Sequence, residues 1–200
     1  MTTLYLVRHA APVLDYTQPQ SQWVLSPEGR EQAEALAAEP FWAEVKAIYS
    51  SPEVKALATA EPAARRYGLP PRVLPCLGEV ERPAGQRFDN YPEAVGQYLA
   101  TPKGSLHGWE PNARARGRIG ACVYRFLDPG QSPEAVGPLA IVGHGLTLTL
   151  LLATILNETP SFDIWRSIRV PDWAQVEVHT EGCLVRGRIV APFSGQRLTN

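Results

Sequence analysis

Short apolar runs alternate along the chain with stretches in which apolar side chains recur every three or four residues, a pattern that predicts strands alternating with helices. Residues 3–7 form an apolar run of strand length that stops at Arg8-His9. A polar loop extends to about Val24. Ser26 then suits an N-cap and Pro27 a first helical position, and Ala33, Leu36 and Ala37 fall at i, i+3 and i+4. Residues 45–49 predict a second strand. Ser51-Pro52 opens another helix, in which Pro62 predicts a kink or restart and Gly68-Leu69-Pro70-Pro71 an end. Residues 72–77 are a weaker strand candidate. The stretch 78–111 is rich in Gly, Pro and aromatics, with a helix near 92–100. Ala115, Ile119, Cys122, Val123 and Phe126 make a helical stripe, residues 139–142 a buried strand, and residues 146–156 a helix. Residues 173–179 and 183–190 predict a hairpin around Glu181-Gly182. The expected fold is α/β, a largely parallel central sheet flanked by helices with one antiparallel addition. With no internal repeat or linker, residues 1–200 are expected to form one domain.

Composition narrows the function. An apolar content of 44% with 20% charged residues is that of a globular protein. The net charge is −1, from 19 basic and 20 acidic side chains, so there is no basic stripe to draw nucleic acid or an anionic membrane, and any anion site must be built locally. No apolar run approaches the ~20 residues that span a bilayer, and no basic leader precedes an apolar core. Cys76, Cys122 and Cys183 are odd in number, far apart and without a Cys-x-x-Cys pair, which predicts reduced thiols in a cytoplasmic protein. No His-x-x-x-His or acidic pair has metal spacing. Gly143-x-Gly145 runs on to Leu148 where a dinucleotide loop needs Gly, so no metal and no cofactor is expected. The oligomeric state stays open.

In open α/β sheets ligands bind beyond the C-terminal ends of the strands, and three segments place unusual residues there. They are Leu6-Val7-Arg8-His9-Ala10, Ser50-Ser51-Pro52-Glu53-Val54-Lys55 and Val142-Gly143-His144-Gly145. Arg8 offers a planar fork for phosphate oxygens. Lys55 lies in a first helical turn and leans back toward the strand ends. His144 precedes a helix whose amides favour an anion, Gly145 allows close backbone approach, and the imidazole of His9 can attack phosphorus. Tyr16, Trp23, Tyr91 and Trp109 fit either a pocket wall or the core, and His107 and His179 are expected to be exposed.

These segments resemble the histidine phosphatase superfamily, branch 1, whose fold is the three-layer, phosphoglycerate mutase-like sandwich. The family pattern runs strand–Arg-His-Gly, Ser-Ser-Pro-x-x-Arg-Ala-x-x-Thr-Ala, Leu-x-Glu, Gly-x-Glu and Val-x-His-Gly-x-Thr. The chain carries these elements in that order, and Leu25 to Ala33 is similar to the family's first helix. The resemblance implies a catalytic set of His9, Arg8, His144 and Glu79, with His9 the phosphorylated nucleophile and Glu79 the general acid. It implies a phosphate-binding set of Arg8, Lys55, His144 and Gly145. Glu81 competes with Glu79 two residues on. Glu81, Arg82, Trp109 and Glu110 are further pocket candidates, and Arg118 is a structural partner in the following helix. Four departures stand out: Ala10 replaces glycine, Ala11-Pro12 lack two donors, Asp15 stands where many members have Asn, and Lys55 replaces arginine.

The resemblance implies a metal-independent, histidine acid-type phosphatase acting on a small phosphomonoester through phosphohistidine. A phosphoglycerate mutase-type phosphotransferase is the nearest alternative. A phosphate-ligand binding protein with weakened catalysis is the other, kept open by Ala11, Asp15 and Lys55.

Overall fold

The computed structural model describes residues 1–127 and 137–197, apart from the side chains of Phe126, Gln196 and Arg197. Phe126, the last position of the predicted stripe in the fourth helix, therefore lies outside the described side chains. Strands β1 (Thr2–Arg8), β2 (Ala47–Ser50), β3 (Arg72–Val73), β4 (Leu139–Gly143), β5 (Asp172–Glu181) and β6 (Leu184–Ala191) form one sheet in the order β3-β2-β4-β1-β5-β6. The first four in that order are mutually parallel. The hairpin β5–β6 adds the antiparallel edge.

Helices cover both faces, so the central strands are apolar on both sides rather than alternating. Leu4, Leu6, Leu139 and Ile141 pack under α3 (Tyr91–Ala100), α4 (Asn112–Leu127), α5 (Gly145–Ile155) and α6 (Phe162–Ser167) through Leu99, Ile119, Leu148 and Ile164. Tyr5, Val7, Ala140 and Val142 point the other way. They meet Leu36 of α1 (Pro27–Leu36), Ala60 of α2 (Val54–Tyr67), and Phe41 and Trp42 of the turn between α1 and β2. A short α7 (Ser194–Arg197) follows the hairpin. Among the described residues no helix is long and apolar enough to cross a membrane.

Three local expectations are corrected. Helix α2 starts at Val54 and runs unbroken through Pro62. Burial of Ala56, Ala60, Ala63 and Ala64 against the sheet outweighs the one backbone bond that proline removes. The third strand shrinks to two residues, because Pro75 has no N–H for a ladder and residues Pro75–Leu77 form a 3-10 turn. The third correction is to the expected reduced thiols. Cys76 and Cys122 are joined in a disulfide, their Cα atoms 5.9 Å apart, while Cys183 is free and exposed. A separation of 46 residues carries no pairing signal. The contact arises because α4 lies across the 75–77 turn.

The loop after β1 rests on the start of α1. Ser26 caps the helix through its hydroxyl, which accepts from Gly29 N at 2.9 Å, and Ser26 N donates to Ala11 O at 2.9 Å. A Cβ on Gly29 would overlap that same Ala11 carbonyl. Helix propensity favours Ala over Gly by about 1 kcal/mol, but overpacking against backbone costs about 1–3 kcal/mol. Gly29→Ala is therefore expected to lower the urea midpoint; a raised midpoint would show that the loop gives way freely.

Candidate active site

The register pairs Arg8 with Gly143 and Ser50 with Val142. His9, Ser51 and His144 thus leave adjacent parallel strands at one edge. His9 N donates to Gly143 O and Ser51 N to Val142 O, each at 3.0 Å. The imidazole centroids of His9 and His144 lie 5.2 Å apart. A cavity of about 310 Å³ opens above His9, with Arg8, Lys55, Glu79, Arg82 and Tyr91 in its wall. His144 is fully buried and sits behind that wall rather than in it.

Each imidazole is oriented by a specific partner. His9 Nδ1 lies 2.8 Å from Ala10 O. A carbonyl only accepts, so Nδ1 carries the hydrogen and the neutral ring keeps its lone pair on Nε2. His144 Nε2 lies 2.7 Å from Ser51 Oγ, and its buried Nδ1 has no hydrogen-bond partner among the described residues. Burial, with each ring's neighbouring positive groups second, holds both imidazoles well below the usual histidine range. For His9 these are Lys55 and Arg8, with the neighbouring His144 ring resisting a second proton beside it; for His144 they are Lys55 and Arg8, then Arg82 and Arg118. Both rings are therefore neutral near pH 7, and a neutral imidazole is the form that can attack phosphorus.

Two buried carboxylates balance the cations. Glu79 takes the amides at the start of α5, accepting from Leu146 N at 3.1 Å and Thr147 N at 3.0 Å, and also from Val80 N at 2.9 Å. The helix-end donors expected to serve phosphate are thus held by a side chain of the protein. Glu53 is the second carboxylate. Its Oε2 pairs with Lys55 Nζ, its Oε1 accepts from Glu79 N at 2.7 Å, and the same Oε1 lies 3.5 Å from His144 Nε2. With His144 neutral, that last contact is not an ion pair. Lys55 also donates to Gln20 O at 2.8 Å.

Arg8 donates through Nη1 to Ile168 O at 2.6 Å, and its guanidinium lies against the first turn of α5. A Cβ on Gly145 would press on Arg8 Cζ and Trp165 Nε1, each at 3.1 Å, so the close approach expected at this glycine is made to protein groups. Arg82 donates to Tyr91 Oη at 2.7 Å and stacks 4.8 Å from the Trp109 ring centroid.

Several candidates lie elsewhere. Glu81 is exposed, whereas Glu79 reaches the cavity. Trp109 is a buried support behind Arg82 that donates to Gln86 Oε1 at 2.8 Å. Glu110 is buried in a two-pronged pair with Arg118, at 3.1 and 2.7 Å. Arg118 in turn holds the carbonyls of Cys76 and Gly78, at 2.8 and 3.1 Å. The Glu79 loop is therefore tied to α4 by the disulfide and by Arg118. Asp15 turns its carboxylate onto Thr17 and Gln18, whose hydrogen bonds hold its pKa down. Tyr16 and Trp23 line the cavity. His179 is exposed, and His107 packs against Phe88 with its rings 5.2 Å apart. Sequence reasoning missed Glu53. On a helix, residues two apart do not face each other, but Glu53 is the N-cap of α2 in extended backbone, which turns its side chain inward. Among the described residues no group of His, Cys, Asp or Glu could hold a metal ion.

The site thus joins two imidazoles and a ring of charged groups at the strand ends of a mostly parallel α/β sheet, the place where open α/β proteins bind ligands. More narrowly, the chain belongs to the histidine phosphatase superfamily (branch 1), whose family model matches residues 4–187. Its fold matches a mycobacterial glucosyl-3-phosphoglycerate phosphatase at 25% identity and TM-score 0.76, over 96% of this chain and 98% of that one. The complex of that mycobacterial phosphatase with inorganic phosphate matches at 25% identity and TM-score 0.75, over 96% and 97%. A phosphoserine phosphatase mutant from Entamoeba histolytica in complex with phosphoserine shares the fold at 18% identity and TM-score 0.68, over 99% and 100%. No curated protein matches the chain in sequence.

The depressed imidazoles set the pH dependence of stability. In the unfolded chain both rings take protons near an ordinary value of about 6.5. In the fold they do so only at lower pH, so below about 6.5 the unfolded state binds more protons and stability falls as pH falls. Each ring contributes up to about 1.4 kcal/mol per pH unit in that window. Urea unfolding at pH 7.5 and 5 is expected to show a smaller loss for His144→Gln than for the parent; equal losses would mean that His144 is not held neutral.

Proposed function

We propose that the chain hydrolyses a phosphomonoester in two steps through phosphohistidine on His9, without a metal. The observation that carries this reading is the Nδ1–H bond from His9 to Ala10 O, which leaves the other ring nitrogen as a nucleophile beside the cavity. Arg8, Lys55 and His144 surround the phosphoryl group, and its charge draws a proton onto His144. Nε2 of His9 forms the bond to phosphorus as the ester P–O bond breaks. Glu79 gives the leaving oxygen its proton, which enters with the substrate as a monoanion below its second pKa of about 6. Glu79 then takes a proton from water, whose oxygen attacks phosphorus as the N–P bond breaks.

Hydrolysis is favoured over the mutase alternative because a phosphatase, the mycobacterial one, matches over 96% of this chain and 98% of its own. The weakened-site reading rests on Lys55, whose ammonium is already paired with Glu53. The chain is read as a single domain.

The leaving group is placed toward Tyr16, Trp23, Gln20, Arg82 and Tyr91, which link the main cavity to a side chamber of about 70 Å³ near Gln18 and Gln86. Stacking rings, amides and one arginine suit a hydroxylated alcohol carrying an anionic group, as glucosyl-3-phosphoglycerate does.

Two measurements test the reading. His9→Ala is expected to abolish the acid-labile phosphoenzyme and cut turnover of p-nitrophenyl phosphate by about a thousandfold or more; unchanged turnover rejects His9 as nucleophile. Arg82→Gln is expected to raise KM for glucosyl-3-phosphoglycerate and 3-phosphoglycerate by about tenfold, the scale of one charge-assisted contact. It should spare p-nitrophenyl phosphate, and an equal change for all three would remove Arg82 from the leaving-group site.

A further inference from the structure

Glu53 has three polar partners in the site, on three different elements. The residue is buried, 7% exposed. One oxygen meets Lys55 on α2, and the other meets both the Glu79 amide in the acid loop and His144 after β4. The Glu53 side chain begins at the N-cap of α2, where φ −69° and ψ 137° direct it back to the strand edge. A carboxylate beside a phosphate site works against dianion binding, so stronger phosphate binding does not explain its presence.

We infer that Glu53 is a positioning residue that neutralises Lys55, sets the acid loop against it, and so keeps the cation from clamping the phosphoryl group. The inference rests on the phosphatase reading above. Lys55 faces Glu53 from its own helix, the Gln20 carbonyl and the Trp23 ring from the loop before α1, and His9, His144 and Arg8 across the cavity. Of these partners only Glu53 brings negative charge; the Glu79 carboxylate in the same wall is taken up by the amides of Val80, Leu146 and Thr147. The pair enters the site as a neutral unit, and the phosphoryl group is held by Arg8 and by the proton it draws onto His144. Orthophosphate, which is also the product, is then released instead of being retained by a bare ammonium. Because one carboxylate serves both Lys55 and Glu79 N, loss of the pair also loosens the acid loop.

The test is a double-mutant cycle read by orthophosphate and vanadate inhibition of p-nitrophenyl phosphate hydrolysis. Glu53→Gln keeps the size and the acceptor for Glu79 N but removes the charge. Its Ki for orthophosphate is expected to fall at least about tenfold while kcat also falls, since a unit charge removed at this range in a buried site acts on that scale. Lys55→Met is expected to raise Ki by a similar factor. Glu53→Gln/Lys55→Met is expected to return Ki to within about threefold of the parent, because the pair has no net charge. The double variant also removes the charge left unpaired in either single one, so it reports even where a single variant fails to fold. A role in folding alone predicts raised Ki and KM in every variant, and that pattern, or an unchanged Ki in Glu53→Gln, overturns the inference. If the parent neither turns over the ester nor binds vanadate, the phosphatase reading itself fails; a working parent with an indifferent Glu53→Gln sinks only the role of Glu53.

Discussion

Like charges withdrawn from water repel, and the strand-end cavity is lined by Arg8, Lys55, Arg82 and His9, with the His144 ring 5.2 Å from that of His9. That repulsion organises the rest of the site. The imidazoles answer it by remaining neutral, as burial and the nearby cations require. The cations answer it through internal anions: Glu53 beside Lys55, and Glu79 at the head of α5. The neutrality of the imidazoles and the internal pairing of the cations thus share one cause.

The placement of Glu79 depends on a scaffold some way from the cavity. Its two oxygens are fixed by the first amides of α5. Its loop is held from behind by Arg118, which spans the carbonyls of Cys76 and Gly78 while pairing with Glu110. The disulfide from Cys76 to Cys122 joins the same loop to the same helix, one turn beyond Arg118. The Glu79 loop has little regular structure of its own, so these ties take the place of a strand in setting its position. Arg82 extends from this braced segment onto Tyr91 and Trp109.

Much of the architecture was legible before any coordinates, because strands buried on both faces and helices with one apolar stripe leave different periodicities. The first, second and fourth strands, the N-cap of α1 and the terminal hairpin fall where apolar runs and turn residues put them. Elements without a local signal were not legible. Residues 72–77 have strand composition, but Pro75 interrupts the ladder, and α6 is too short to show a period. At the site, His9, His144 and Lys55 could be named because each stands where an apolar run ends in polar or small residues.

The order of those run endings along the chain was thus enough, by itself, to determine the α/β class and the convergence of Arg8, His9 and His144 at one sheet edge. Only the tertiary structure decided which groups neutralise them. Glu53 could be recognised as the partner of Lys55 only once the extended N-cap turned it inward, and Glu79 as the cap of α5 only once a loop 67 residues away in sequence packed there. The joining of Cys76 to Cys122 likewise waited on α4 crossing the turn. The reason is physical. Periodicity records how each element meets the core, whereas charge compensation depends on distances between elements, which exist only after packing.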